Sequence, residues 1–201
     1  MIVDILSDLH LDFYFKSHLT TPENVSSFFN PIFTNNSTRT IGDVLIIAGD
    51  IGHYNAQNIE VLKILQKKFY KHIICVLGNH DYYLVNGEAR YTFENNSFKR
   101  IENLRKLINK EKNIYCLDGN IIEIDGIKFG GCDSWYDDSY TKRYFKQFDT
   151  NYINLLWKQY INDSRLIYGI SHFDTISKIE TQKLENIYQK CDVMITHVNP
   201  S

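Results

Sequence analysis

The chain has 201 residues, a formal net charge of −2, 43% hydrophobic and 23% charged residues. That length suits one domain with one core, and the composition is that of a soluble globular protein rather than a disordered or fibrous one. No basic block appears, which disfavours nonspecific nucleic-acid binding through a Lys/Arg stripe. The four cysteines, Cys75, Cys116, Cys132 and Cys191, form no CxxC pair, so no structural zinc site is expected. Cys75 and Cys191 lie in or beside apolar runs and read as free core thiols. The start Met1-Ile2-Val3-Asp4-Ile5 lacks a basic segment and is interrupted by Asp4, unlike a signal peptide. No apolar run approaches the ~20 residues of a membrane helix. The chain therefore reads as cytoplasmic, with no membrane partner.

Short apolar strands alternate with amphipathic stretches, the pattern of an α/β fold. Ile2 to Leu6 reads as the first strand. Residues 12–42 are polar, contain Pro22, Pro31 and the run Thr34-Asn35-Asn36-Ser37-Thr38, and read as a long loop or insertion with room for one helical turn. Val44 to Ala48 is a continuous buried strand. Asn58 to Lys71 carries Ile59, Leu62, Leu65 and Phe69 at helical spacing. Ile73 to Leu77 is the next strand, and Phe93 to Asn109 repeats the helical pattern through Phe98, Ile101, Leu104 and Ile108. Ile121 to Ile124 and Ile127 to Phe129 flank Asp125-Gly126, a hairpin turn signal. Tyr144 to Ile161 and Thr175 to Tyr188 read as helices, and Val193 to Thr196 as a final strand. No internal repeat or low-complexity linker is present.

Polar, ligand-capable side chains follow four of the predicted strands. Ser7-Asp8-Leu9-His10 follows the first, Gly49-Asp50-Ile51-Gly52-His53 the second, Gly78-Asn79-His80-Asp81 the third, and Thr196-His197-Val198-Asn199-Pro200 the last. Sites in α/β sheets form at the carboxyl ends of strands, so these groups are expected to converge on one rim. Asp8 and His10, two apart on an extended segment, would point the same way and chelate one cation. Gly49 and Gly78 would let the backbone turn and present Asp50, Asn79 and His80. A carboxylate can bridge two cations, and mixed nitrogen and oxygen donors suit Mn, Fe, Ni or Zn better than calcium.

Asp8-x-His10, Gly49-Asp50, Gly78-Asn79-His80-Asp81 and Thr196-His197, in that order over residues 4–199, resemble the motifs of the calcineurin-like metallophosphoesterase superfamily. The resemblance implies a four-layer αββα sandwich, two mixed β-sheets packed together and flanked by helices. It implies two divalent metal ions (Mn, Fe, Zn or Ni, with Mn favoured). Asp8 and His10 would hold the first, Asp50 would bridge, and Asn79 and His197 would hold the second. His80 would face the substrate as a catalytic residue, with Asp81 either orienting it or capping the next segment. The implied reaction is hydrolysis of a phosphodiester or phosphomonoester, a small molecule or nucleotide, by a hydroxide shared between the metals.

Gly52-His53-Tyr54 stands where the protein serine/threonine phosphatase branch has Asp-Arg-Gly, which points to the small bacterial or phage-type branch. The family pattern closes with Gly-His-x-His, which this sequence lacks; the chain is expected to be without its C-terminal portion. If that motif is naturally absent, a non-catalytic binding platform is the reading left. A metal-dependent nuclease is the second enzyme reading, disfavoured by the low positive charge. Two residues are further substrate-binding candidates. His53 lies near the rim, to touch substrate or orient His80. Trp135, in Gly130-Gly131-Cys132-Asp133-Ser134-Trp135-Tyr136, would stack on a ring or fill the core. Tyr82 and Tyr83 are expected to shape the pocket, and His18, His72 and His172 to be structural or solvated.

Overall fold

A computed structural model describes residues 1–16, 19–34 and 40–199 of the chain. The first sheet contains β1 (Val3–Leu6), β2 (Val44–Ala48), β3 (His72–Val76) and β4 (Ile114–Cys116), in that order. All its pairings are parallel, with Val3 opposite Val44, Val44 opposite His72 and Ile73 opposite Ile114. The connections carry α1 (Leu11–Tyr14), α2 (Pro22–Thr34), α3 (Asn55–Lys68), α4 (Asn79–Tyr82), α5 (Gly87–Thr92) and α6 (Ser97–Ile108). The second sheet contains β5 (Asn120–Ile124), β6 (Ile127–Gly131) and β7 (Val193–Ile195). It is mixed: β5 and β6 are antiparallel, β6 and β7 parallel. Between β6 and β7 run α7 (Ser139–Tyr144), α8 (Thr150–Tyr160), α9 (Asp163–Leu166) and α10 (Thr175–Ile187).

The period-two alternation of β2 and β3 sorts their side chains between two cores. Leu45, Ile47, Ile73 and Cys75 face α2, α3 and α6 and join Val25, Phe29, Phe33, Leu62, Leu65, Ile101 and Leu104. Val44, Ile46, Ile74 and Val76 face the second sheet and meet Leu117, Ile124, Phe129 and Ile195. Strands buried on both faces read as continuous apolar runs, as Val44 to Ala48 does. With α10 against β5 and β6, the layers are helix, sheet, sheet, helix. This is the expected αββα arrangement, with the difference that the first sheet is wholly parallel rather than mixed.

Three local features follow from residue chemistry. Asp125 (φ 51°) and Gly126 (φ 80°) form a two-residue turn that closes Ile124 on Ile127, as the Asp-Gly signal predicts. The reading of residues 12–42 as loop is corrected by the 13-residue α2, preceded by the short α1. Pro22 occupies the first helical position, where a missing N–H is harmless, and Val25, Phe29 and Phe33 recur every fourth residue on the buried face. The part of that segment containing His18 and residues 35–39 lies outside the described residues. Cys191, read as core, is only half-buried, whereas Cys75, Cys116 and Cys132 are buried and all four thiols are free.

Candidate functional site

The ends of β1, β2, β3 and β7 meet at one rim. There Asp8 N–H donates to the Gly49 carbonyl (3.2 Å), His10 N–H to Asp50 (3.0 Å) and Leu11 N–H to Ile51 (2.9 Å), so the loop after β1 stays paired to the loop after β2. Asp8 (φ 55°), His10 (φ 43°) and Asp50 (φ 55°) all adopt the left-handed region. Such strain in non-glycine residues is concentrated at functional sites. Gly78 is required for close approach, since a Cβ there would lie 2.2 Å from Asp50 Oδ1. Gly49 (φ 87°) is required twice over, by its backbone and because a Cβ would lie 2.4 Å from the His197 ring.

Asp50 is the centre of the arrangement. His197 Nε2 lies 3.6 Å from its Oδ1 and His10 Nε2 lies 3.7 Å from its Oδ2, so each carboxylate oxygen faces a different imidazole. Two triads of ligand atoms, each within 4.8 Å, share this residue: His10, Asp50 and His80, and Asp8, Asp50 and His197. Asp8 and His10 fall in different triads, and both adopt left-handed backbone where the sequence suggested an extended segment. Burial is the largest influence on the Asp50 carboxyl and leaves it above its ordinary range, with His197 pulling the other way.

The donor set fits a cation. The Nδ1 of His197 lies 2.8 Å from the Ala48 carbonyl, which makes it the protonated nitrogen and leaves Nε2 as a lone-pair donor toward Asp50. Among the described residues, His10 Nδ1 is buried without a hydrogen-bond partner. A buried carboxylate between two imidazoles beyond hydrogen-bond reach, with a second carboxylate in Asp8, is an assembly that positive charge would stabilise. Asn79 opens α4 beside them, and its amide nitrogen donates to Tyr83 Oη (2.9 Å) and Asp163 (2.9 Å).

His80 stands over the rim, its ring 4.4 Å from that of His10 and stacked at 5.3 Å on that of His53. Burial, with His10 and His53 close by, brings the His80 imidazole down to about 4. Its Nδ1 is 3.2 Å from His53 Nε2, and His53 Nδ1 is 2.8 Å from Asp12 Oδ2. Burial pushes the Asp12 carboxyl up, but hydrogen bonds from the His53 side chain and backbone outweigh it and bring the group down to about 2. Asp12, His53 and His80 thus form a chain leading into the rim.

The sequence matches the family of calcineurin-like phosphoesterases over residues 1–192. The chain belongs to that family. It is 27% identical over 218 aligned positions to an uncharacterized protein of Acanthamoeba polyphaga mimivirus, covering 99% of this chain and 68% of that protein. Its fold is similar to that of phosphopantetheinyl hydrolase (PptH) from Mycobacterium tuberculosis, with a TM-score of 0.66 at 16% identity, covering 98% of this chain and 68% of the other. No helix among the described residues is long and apolar enough to cross a membrane.

Within this phosphoesterase, Asp8, His10, Asp50, His80 and His197 are gathered, with Asn79 adjacent and His53 behind His80. For two residues the geometry matches one of the alternatives expected. Asp81 is 0% exposed, and its carboxylate accepts from Gly78 N (2.9 Å), Ile51 N (3.1 Å) and Gly52 N (3.2 Å). Its oxygens are occupied in capping α4 and joining two motif turns, the capping alternative. Burial raises its carboxyl to about 6. Trp135 is 6% exposed and packs edge-on to Tyr82 at 5.4 Å inside the helix-side core, so it is no stacking platform. Its neighbour Tyr136 instead borders a cavity of about 520 Å³ walled by Phe145, Phe148, Trp157, Tyr160 and Phe173.

Sequence reasoning missed Asp12, Asp163 and Arg100. The Arg100 guanidinium, 1% exposed, donates to the carbonyls of His80 (2.9 Å), Asp81, Tyr83 (3.0 Å) and Gly52 (2.8 Å), clamping the turns after β2 and β3. Burial lowers it to about 10, with Asp81 opposing. Its signal was present: Arg100 shares the apolar face of α6 with Leu104 and Ile108, where an unpaired charge has no place.

Proposed function

We propose that this chain hydrolyses phosphodiesters or phosphomonoesters of small molecules or nucleotides at a dinuclear metal centre. The observation that carries the reading is the place of the buried Asp50 carboxylate between His10 and His197, one imidazole facing each of its oxygens. Asp8, His10, Asp50, Asn79 and His197 would hold the ions, Asp50 by bridging. The mixed nitrogen and oxygen donors suit manganese, iron, nickel or zinc, and manganese is the proposed activator. Bound there, the ions would lower the pKa of coordinated water toward neutrality and offset charge on the phosphoryl group. The four free thiols support a reducing, cytoplasmic setting, and the net charge of −2 supports a small ester over nucleic acid.

The protein's own groups handle the proton. With Asp12 accepting from His53 Nδ1–H, the His53 imidazolium also carries a proton on Nε2, directed at His80 Nδ1. His80 would give its Nε2 proton to the leaving oxygen as its Nδ1 takes the proton from His53, so that both imidazoles end neutral. General acid assistance of this kind contributes ~10²–10⁴-fold. The test is manganese-dependent hydrolysis of bis-p-nitrophenyl phosphate. Asp50→Asn abolishes turnover, and His80→Ala reduces it by roughly 10²–10⁴-fold while metal content is retained. Loss of both metal equivalents in His80→Ala would reassign His80 as a ligand.

A further inference from the structure

Asp163 opens α9, 84 residues from Asn79 in sequence, and is 2% exposed. Its Oδ1 accepts from Asn79 Nδ2 (2.9 Å) and Tyr83 Oη (2.5 Å), and its Oδ2 accepts from Tyr136 Oη (2.7 Å). Tyr136 Oη in turn accepts from Trp157 Nε1 (2.8 Å). None of these groups was singled out by the metal motifs, yet Asp163 and Tyr83 hold the nitrogen end of the Asn79 amide, and Tyr136 and Trp157 stand behind Asp163.

We propose that Asp163 is a positioning residue that fixes the orientation of the Asn79 side chain, so that its oxygen and not its nitrogen is left for a divalent cation. The inference rests on the reading of Asn79 as a metal ligand. An ionised carboxylate only accepts, so the amide must meet it with N–H. Tyr83 spends its own proton on Asp163, so its oxygen can only accept from the amide. Tyr83 Oη and Asp163 Oδ1 lie 2.5 Å apart and each 2.9 Å from Asn79 Nδ2, so they sit on one side of that nitrogen and share an amide N–H, which keeps the nitrogen end of the amide turned toward them. Turning the amide over would set its carbonyl oxygen against the carboxylate and lose both bonds. A freely rotating asparagine would spend part of its time offering N–H groups to a cation; this one is held in the ligating orientation before the ion arrives. Groups that orient ligands in this way typically alter metal affinity by ~10–100-fold when removed.

The experiment is calorimetric titration of the chelator-stripped full chain with Mn²⁺, with Mn²⁺ electron paramagnetic resonance as a second readout. Asn79→Ala and Asp163→Leu are expected to weaken the same equivalent by roughly 10–100-fold and to leave the other intact. Tyr83→Phe, which removes one partner of the amide and keeps the carboxylate, is expected to weaken that equivalent by a smaller factor. Tyr136→Phe removes the donor on Oδ2 without touching Asn79. It should leave both affinities unchanged, a result that a general structural role for the network does not give. A folded Asp163→Leu protein binding both equivalents at wild-type affinity overturns the inference. If Asp163→Leu does not give a cooperative thermal transition, an unchanged isotherm in Tyr83→Phe overturns it instead. If Asn79→Ala binds as wild type does, the ligand reading falls first and the positioning role with it.

Discussion

At the scale of single residues, close approach explains why small and strained residues surround Asp50. The space beside its Oδ1 exists because residue 78 has no Cβ. Gly78→Ala is therefore expected to displace the carboxylate, cut hydrolysis by at least tenfold and reduce bound metal; wild-type metal content in that variant would count against the geometry. The ligand-type residues were legible because Asp, His and Asn recur immediately after buried strands. The left-handed backbone at Asp8 and His10 was not legible, because both directly follow a strand and read as extended. Nor was Asp12, whose partner His53 is 41 residues away. Asp163 was equally hidden, since it meets Asn79 only through tertiary packing.

Among the elements, α2 shows how apparent loop signals yield to packing. Two prolines and a polar run suggested a loop, but Pro22 begins the helix and the buried stripe of Val25, Phe29 and Phe33 is what docks it. Phe29→Ala is expected to destabilise the fold by about 3–5 kcal/mol, measured by denaturant unfolding. The three-residue β4 was missed because a segment that short carries no period. Glu180 of α10 holds the turn after β6 by accepting from Asp133 N (3.0 Å) and Ser134 N (3.2 Å). Burial first, then Asp133, raises its carboxyl to about 7 from an ordinary 4.5. A carboxyl whose pKa is higher folded than unfolded binds its proton more tightly in the native state. Its contribution to stability is fully present below pH 4.5 and is lost as pH rises through about 7. Glu180→Gln should flatten that part of the pH dependence of Tm; an unchanged slope would contradict the assignment.

For the whole molecule, the four layers place the rim where the first sheet, through Asp8, Asp50 and Asn79, meets the second, through His197. The fold class was legible from alternating strands and helices, while the wholly parallel order of the first sheet became visible only in the pairings. A cation held across both sheets would tie the layers together and stabilise the native state by mass action, about 2.7 kcal/mol at a hundred times Kd. The Tm is therefore expected to rise on adding Mn²⁺ to stripped protein and not to rise in Asp50→Asn. The most direct test of the proposed centre is metal stoichiometry in chelator-stripped protein reloaded with Mn²⁺ and in Asp50→Asn treated alike. The account predicts two bound equivalents in the first and loss of tight binding in the second. Absence of bound metal in the wild-type chain, or equal binding in both proteins, would contradict it.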